Sequence, residues 1–138
     1  MDEIQYLTKE HVYLIHDESI KNFGGDNGIY NNTDDKIESI LSQQFPIFEQ
    51  DKYPNIFQKA AMLLYFFTKG HCFVDGNKRI GILSTIVFLD INGYESDMEN
   101  DEGYDKTMEI SVSHIPECSR DEYIDYLAGW LCERFIRE

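Results

Sequence analysis

Two strongly apolar stretches with helical spacing flank a short polar run, and this arrangement constrains the fold more than any other feature of the chain. In the first stretch Ile56, Phe57, Ala60, Ala61, Leu63, Leu64 and Phe67 recur at helical intervals, and Gly70 is placed to close the helix. In the second, Ile80, Leu83, Val87 and Ile91 keep the interval, Ile82, Ile86 and Leu89 widen the stripe, and Asn92-Gly93 is a stop. A helix apolar on most sides belongs inside, so the second is expected to be the central helix. Between them stands His71-Cys72-Phe73-Val74-Asp75-Gly76-Asn77-Lys78-Arg79, in which only Cys72, Phe73 and Val74 are apolar. A polar loop held between two core helices is a rigid platform for a site.

Helical signals also occupy the rest of the chain. Thr8 can cap a helix over about 9–21, with Val12, Ile15 and Ile20 inward and Gly24-Gly25 ending it. Thr33 followed by Asp34 and Asp35 reads as a second start, with Ile37, Ile40 and Leu41 as its stripe. Pro46 and Pro54 make Phe45–Asn55 a loop or a short extended flap. Ser119-Arg120-Asp121-Glu122 reads as a capping box before a last helix with the stripe Tyr123, Tyr126, Leu127, Trp130, Leu131 and Phe135. No run alternates convincingly with period two. The expectation is an all-α bundle of about six helices in one domain, 1–138.

Composition narrows the class. An apolar content of 42% suits a folded globular chain, and no apolar stretch approaches a membrane span. The start Met1-Asp2-Glu3-Ile4-Gln5 has neither a basic lead nor an apolar run, so a cytoplasmic protein is expected. Cys72, Cys118 and Cys132 are odd in number and widely spaced, which fits reduced thiols better than a disulfide framework or a zinc site. A net charge of −14 weighs against nucleic acid and anionic membranes as partners and favours a basic surface. In so acidic a chain, the crowding of Lys69, Lys78 and Arg79 around the polar run is notable.

The run has the parts for phosphate chemistry. Gly76 lets a ligand approach the backbone, and the start of the following helix presents N–H groups and a positive dipole end. Lys78 and Arg79 add formal charge, Asp75 is a hard oxygen ligand for Mg²⁺, and His71 is of the residue type most often used as a general base. Together they point to phosphoryl or nucleotidyl transfer from a Mg²⁺–nucleotide to a hydroxyl. Each part alone is ordinary: a helix-end His, an Asp-Gly turn, a solvated Lys-Arg pair. Elsewhere the signals are duller. His11 and His16 lack H-E-x-x-H spacing, Gly24–Gly28 reads as a positive-φ loop rather than a phosphate loop, and His114 reads as a loop residue.

The run H-x-F-x-D-G-N-K-R resembles the signature of the Fic/Doc (Fido) family, H-x-F-x-[D/E]-[G/A]-N-x-R. Leu14–Glu18, Asn22–Gly25, Lys69-Gly70, Phe88-Leu89, Asn92-Gly93 and Glu109–Ser113 extend the resemblance over nearly the whole chain, toward the Doc (death-on-curing) branch. It implies a Fido-type helical bundle with ATP and Mg²⁺ as cofactors. By resemblance His71 would be the catalytic base and Asp75 the metal ligand. Phe73 would anchor the loop in the core, and Gly76, Asn77, Lys78 and Arg79 would hold phosphates. Lys69 matches a basic position and could also face phosphate. The segment Pro46–Pro54 matches the family's target-docking flap in position.

Two chemistries exist in that family. Fic proteins transfer AMP to a protein hydroxyl, with Gly where this chain has Lys78 and Arg where it has Ile82. The Doc branch has Lys at the former position and phosphorylates a threonine of elongation factor Tu. That match favours a Doc-like toxin with kinase activity; Gly76, where the Doc branch has Ala, leans toward AMP transfer. A member that only binds its partner is the third reading. The inhibitory pattern [S/T]-x-x-x-E-[G/N] is absent at both Glu99-Asn100 and Glu102-Gly103, so restraint is expected from a separate antitoxin whose C-terminal segment fills a groove.

Overall fold

The computed structural model describes residues 3–99 and 101–138; Met1, Asp2 and Asn100, which entered the sequence reading, lie outside the described residues. Among the described residues six helices carry the fold: α1 (Lys9–Phe23), α2 (Thr33–Ser42), α3 (Ile56–Lys69), α4 (Asn77–Ile91), α5 (Glu102–Val112) and α6 (Arg120–Cys132). A short 3₁₀ turn, Glu117–Ser119, precedes α6. Strands β1 (Tyr94–Ser96) and β2 (Phe135–Arg137) pair antiparallel, with Glu95 opposite Ile136. Three residues are too few to register as alternation, which is why the sequence showed no strand. Among the described residues no helix is long and apolar enough to cross a membrane.

The helix starts follow from their caps. Thr8 Oγ1 accepts from the His11 amide, and His11 Nδ1 accepts from the Thr8 amide, so histidine fills the usual Glu place of a capping box. Asn55 and Gln58 make the same reciprocal pair before α3. The box expected at Ser119 is not formed: Ser119 occupies the cap position, but its side chain accepts no cap bond. Helix α2 starts at Thr33, as expected, with Asn32 at the cap position; Thr33 is fully buried, with its hydroxyl turned onto the polar run.

The central helix is α3, not α4. Nine of its fourteen residues are buried, and it packs on α2, α4, α5 and α6. Helix α4 turns a small, partly polar face inward: Ile80, Gly81, Ser84, Thr85, Phe88 and Leu89. Ile82, Leu83, Ile86 and Val87, expected in its stripe, are only half-buried. The reason is close approach. A Cβ on Gly81 would stand 2.1 Å from Thr68 Oγ1, so the α3–α4 contact is built on the absence of a side chain. On α1 the buried positions are Val12, His16 and Ser19, with Ile15 and Ile20 at the margin. On α6, Ile124 joins Leu127, Ala128 and Leu131 inside, whereas Tyr126 is about half exposed. Phe135 belongs to β2, because α6 ends at Cys132.

The Pro-bounded segment is a flap, as expected. Ile47 and Gln50 exchange both backbone hydrogen bonds (2.8 and 2.9 Å) around a two-residue turn. Both turn residues, Phe48 (φ 51°) and Glu49 (φ 65°), are left-handed, which such a turn requires and which Asn-Gly would meet with less strain. Phe48 is 96% exposed. The flap base is fixed by Lys59, whose fully buried ammonium donates to both carboxylate oxygens of Asp51 (2.7 and 2.9 Å) and to Gln44 O (2.9 Å).

Candidate active site

The polar run leaves α3 at Gly70 and enters α4 at Gly76, which has φ 80° and makes the turn that lets Ile80 N bond to Gly76 O. The intervening loop is fastened by side chains of two other helices, α1 and α2, and of α4 itself. Lys36 Nζ donates to His71 O (3.0 Å), and Thr33 Oγ1 donates to Cys72 O (2.6 Å). The Asn77 amide brackets Phe73: its Oδ1 accepts from Phe73 N (3.1 Å) and its Nδ2 donates to Phe73 O (2.8 Å). Val74 N donates to Gly28 O (3.3 Å), and His16 Nε2 donates to Asp75 O (2.8 Å). Phe73 is fully buried, with the His16 ring stacked on it at 3.7 Å and Tyr13 edge-on at 5.9 Å.

His71 itself is exposed and left-handed, with φ 48°. That conformation costs a non-glycine residue about 1–2 kcal/mol, and a hydrogen bond from a charged donor, such as Lys36, offsets about as much. Strain held by surrounding contacts is characteristic of functional positions. Cys72, the neighbour, is fully buried, and burial pushes its thiol up to about 11, which rules it out as a nucleophile at neutral pH.

Asp75 is exposed, and the amides of Asp26 (3.1 Å, to Oδ2) and Gly76 (2.8 Å, to Oδ1) hold its carboxyl below the usual range, with Arg79 adding to the effect. Each oxygen accepts one N–H and keeps a lone pair for a hard cation. One ionised carboxylate beside phosphate-binding groups is the usual protein share of a Mg²⁺ site, so the residues present fit that ion. Gly25 makes this geometry possible: a Cβ there would lie 2.7 Å from Asp75 Oδ2. The Gly24–Gly28 loop is therefore a brace for the site. Gly24 O also accepts from Arg79 Nη2 (2.9 Å), while the guanidinium stands 5.7 Å from the Phe23 ring.

His71, Asp75, Gly76, Asn77, Lys78 and Arg79 line one cavity of about 460 Å³ with Thr68, Val74, Tyr104 and Ser111. The α4 start supplies Asn77, Lys78 and Arg79 amides with no helical partner. The cavity thus combines an anion-binding helix end, two cations, an ionised carboxylate and an exposed imidazole. This set can hold a polyphosphate and a divalent ion and take a proton from a hydroxyl. A second groove of about 430 Å³ shares Lys78, Arg79 and Tyr104 and is otherwise mostly apolar, with Ile82, Leu83, Ile86 and Met98.

Lys69 is the sequence-selected residue that the structure places elsewhere. Its ammonium donates to Ser113 O (2.6 Å) and Ile110 O (3.3 Å), satisfying carbonyls at the end of α5 instead of facing the cavity. Two others have structural duties. The Asn77 amide is committed to Phe73 at both ends, and Phe73 is out of reach of any ligand. Sequence reasoning missed Tyr104 and Ser111 as lining residues, although their seven-residue spacing on α5 puts them on one face. It also missed the supporting roles of His16, Thr33 and Lys36. A histidine in line with the inward Val12 was the available signal for the first.

The profile of the Fic/DOC family matches residues 6–89. The chain is 32% identical over 94 residues to "Toxin Doc" of Mycolicibacterium smegmatis, an alignment covering 67% of this chain and 70% of that protein. It is 27% identical over 125 residues to "Protein kinase doc" of Escherichia phage P1, covering 87% of this chain and 97% of that protein. With the signature residues gathered around one cavity and the match running through more than half of its length, the chain belongs to the Fic/DOC family.

Proposed function

We propose that this protein is a Doc-like toxin that phosphorylates a Ser or Thr hydroxyl of a host protein, with elongation factor Tu the expected target, and so blocks translation in the cytoplasm. ATP, bound with Mg²⁺, supplies the γ-phosphoryl group. His71 removes the proton from the attacking hydroxyl. Asp75 holds the ion, while Lys78, Arg79 and the α4 amides carry the phosphate charge and fix the nucleotide's register. The observation that carries the reading is Lys78, which lines the same cavity as His71, Asp75 and Arg79 where AMP-transferring relatives have glycine. A cation at that place displaces one phosphate position and presents the γ- rather than the α-phosphate to the hydroxyl. A relative that bears the name protein kinase supports the same choice. An antitoxin is the expected partner, its C-terminal segment lying in a groove of this protein.

AMP transfer by the same residues is the second reading, and Gly76 favours it, since AMP-transferring relatives share glycine there. A partner-binding role without chemistry has no use for His71 and Asp75 together. The deciding experiment supplies purified protein, Mg²⁺ and ATP labelled at either the α- or the γ-phosphate to a bacterial lysate with added elongation factor Tu, with His71→Ala as control. Label from γ alone in wild type, absent in the variant, is expected. Label from α would replace the kinase reading with AMP transfer. No label and no ATP binding would leave partner binding.

A further inference from the structure

We propose that Lys36 is a positioning residue that sets the direction of the His71 imidazole, an inference that rests on the reading of His71 as the base. Helix α2 carries Thr33 and Lys36 one turn apart, and both reach the polar run. Thr33 Oγ1 donates to Cys72 O (2.6 Å) and accepts from Tyr30 N (2.8 Å), so that carbonyl is held by a fully buried, doubly bonded hydroxyl. Lys36 holds the preceding carbonyl, His71 O, at 3.0 Å, and its ammonium also stands 5.5 Å from the Tyr30 ring.

The other tethers act on Cys72, Phe73, Val74 and Asp75. Among the described residues Lys36 is the one donor to His71 O. On the other side of His71 stands Gly70, whose backbone is inherently permissive. With φ at 48°, His71 occupies a conformation it would leave if its carbonyl were released. A rotation there swings the imidazole, because the Cα–Cβ bond moves with the backbone. Lys36 is not among the residues lining the cavity, so it is not placed to contact the nucleotide. Its loss should therefore lower the rate of transfer without weakening ATP binding.

The test measures transfer of label from ATP, α- or γ-labelled, into protein of a bacterial lysate with added elongation factor Tu, across a range of ATP concentrations. Wild type, Lys36→Met, Lys36→Arg and His71→Ala are compared. Lys36→Met should lower kcat about 10- to 100-fold with KM for ATP within about twofold, as expected of a misplaced reacting group. Lys36→Arg, which keeps a charged donor, should recover most of the rate. An unchanged kcat in Lys36→Met would overturn the inference, as would a raised KM with kcat intact, which would make Lys36 a nucleotide contact. Should far-UV circular dichroism show Lys36→Met unfolded, Lys36→Gln takes its place with the same expectations. His71→Ala with full activity would remove the base reading and this inference together. Lost activity in His71→Ala beside normal Lys36→Met would sink the inference alone.

Discussion

The polar loop and the flap tip both hold non-glycine residues in the left-handed region, yet they are supported in opposite ways. His71 sits in a loop whose backbone is bonded by side chains of α1, α2 and α4. Phe48 and Glu49 sit at a tip fixed by two hydrogen bonds of the flap's own backbone, and the anchors to the body lie at the base, where Lys59 holds Asp51, Lys52 pairs with Asp121 and the Phe45 ring lies against Tyr6. In the loop the surroundings dictate the conformation, so the side chain is aimed. At the tip a local turn dictates it, so an apolar ring is displayed to solvent without being aimed. Strain alone therefore does not single out a functional position; under the proposed function, the strained residue that is restrained from outside is the base.

His71→Gly gives the sharpest break between the two regions. Glycine accepts φ 48° without penalty, so the melting temperature should stay within a few degrees while label transfer falls at least about 100-fold. A folded variant with ordinary activity would remove His71 as the base. Next comes the flap base. Lys59→Met leaves Asp51 and Gln44 O without their buried donor and should cost about 3 kcal/mol in urea unfolding; a loss below about 1 kcal/mol would mean that the flap is not anchored there. Gly81→Ala drives a methyl into Thr68 and should destabilise by about 1–3 kcal/mol despite the better helix propensity, and an unchanged midpoint would show that α3 and α4 separate freely. Phe48→Asn with Glu49→Gly should stabilise by about 1 kcal/mol, because the turn then suits its residues. If thermal unfolding shows no gain, the tip is not strained in solution.

The smallest effect concerns Cys72. Burial favours its neutral thiol, so the folded state holds that proton more tightly than the unfolded chain does. The stability it contributes is complete below about pH 8.5 and declines as pH rises toward 11. Iodoacetamide at pH 8 should label the exposed Cys118 and Cys132 and spare Cys72, as counted by intact mass. Three adducts on native protein would contradict the burial.

How much of this was legible in the sequence depends on how each residue acts. The chemical groups of the site were readable, because His71, Asp75, Lys78 and Arg79 fall within nine residues and each type has few uses. The starts of α1 and α3 were readable from Thr8 and from the periodicity beginning at Ile56, since caps and stripes are local. The inward face of α4 was not, because close packing there selects Gly81, Ser84 and Thr85, which carry no hydrophobic signal. Nor were the braces. Lys36 looks like an exposed charge and Thr33 like part of a helix start, and only the approach of α2 to a loop more than thirty residues away gives them a task. Lys69 misled for the converse reason: its adjacency to the motif in sequence suggested the cavity, whereas the packing of α5 against α3 puts its ammonium on α5 carbonyls.

The braces on the polar loop have a consequence for when the protein becomes competent. His16, Asp26, Thr33 and Lys36 reach it across 59, 49, 39 and 35 residues of chain, so each contact closes a long loop whose entropy must be overcome first. Helices α3 and α4 with the intervening signature can pack against each other before the first quarter of the polypeptide has docked. At that stage every reactive group is present and none is oriented. A chain nicked ahead of α3 would keep His71, Asp75, Lys78 and Arg79 and lose the contacts that hold the loop carrying them.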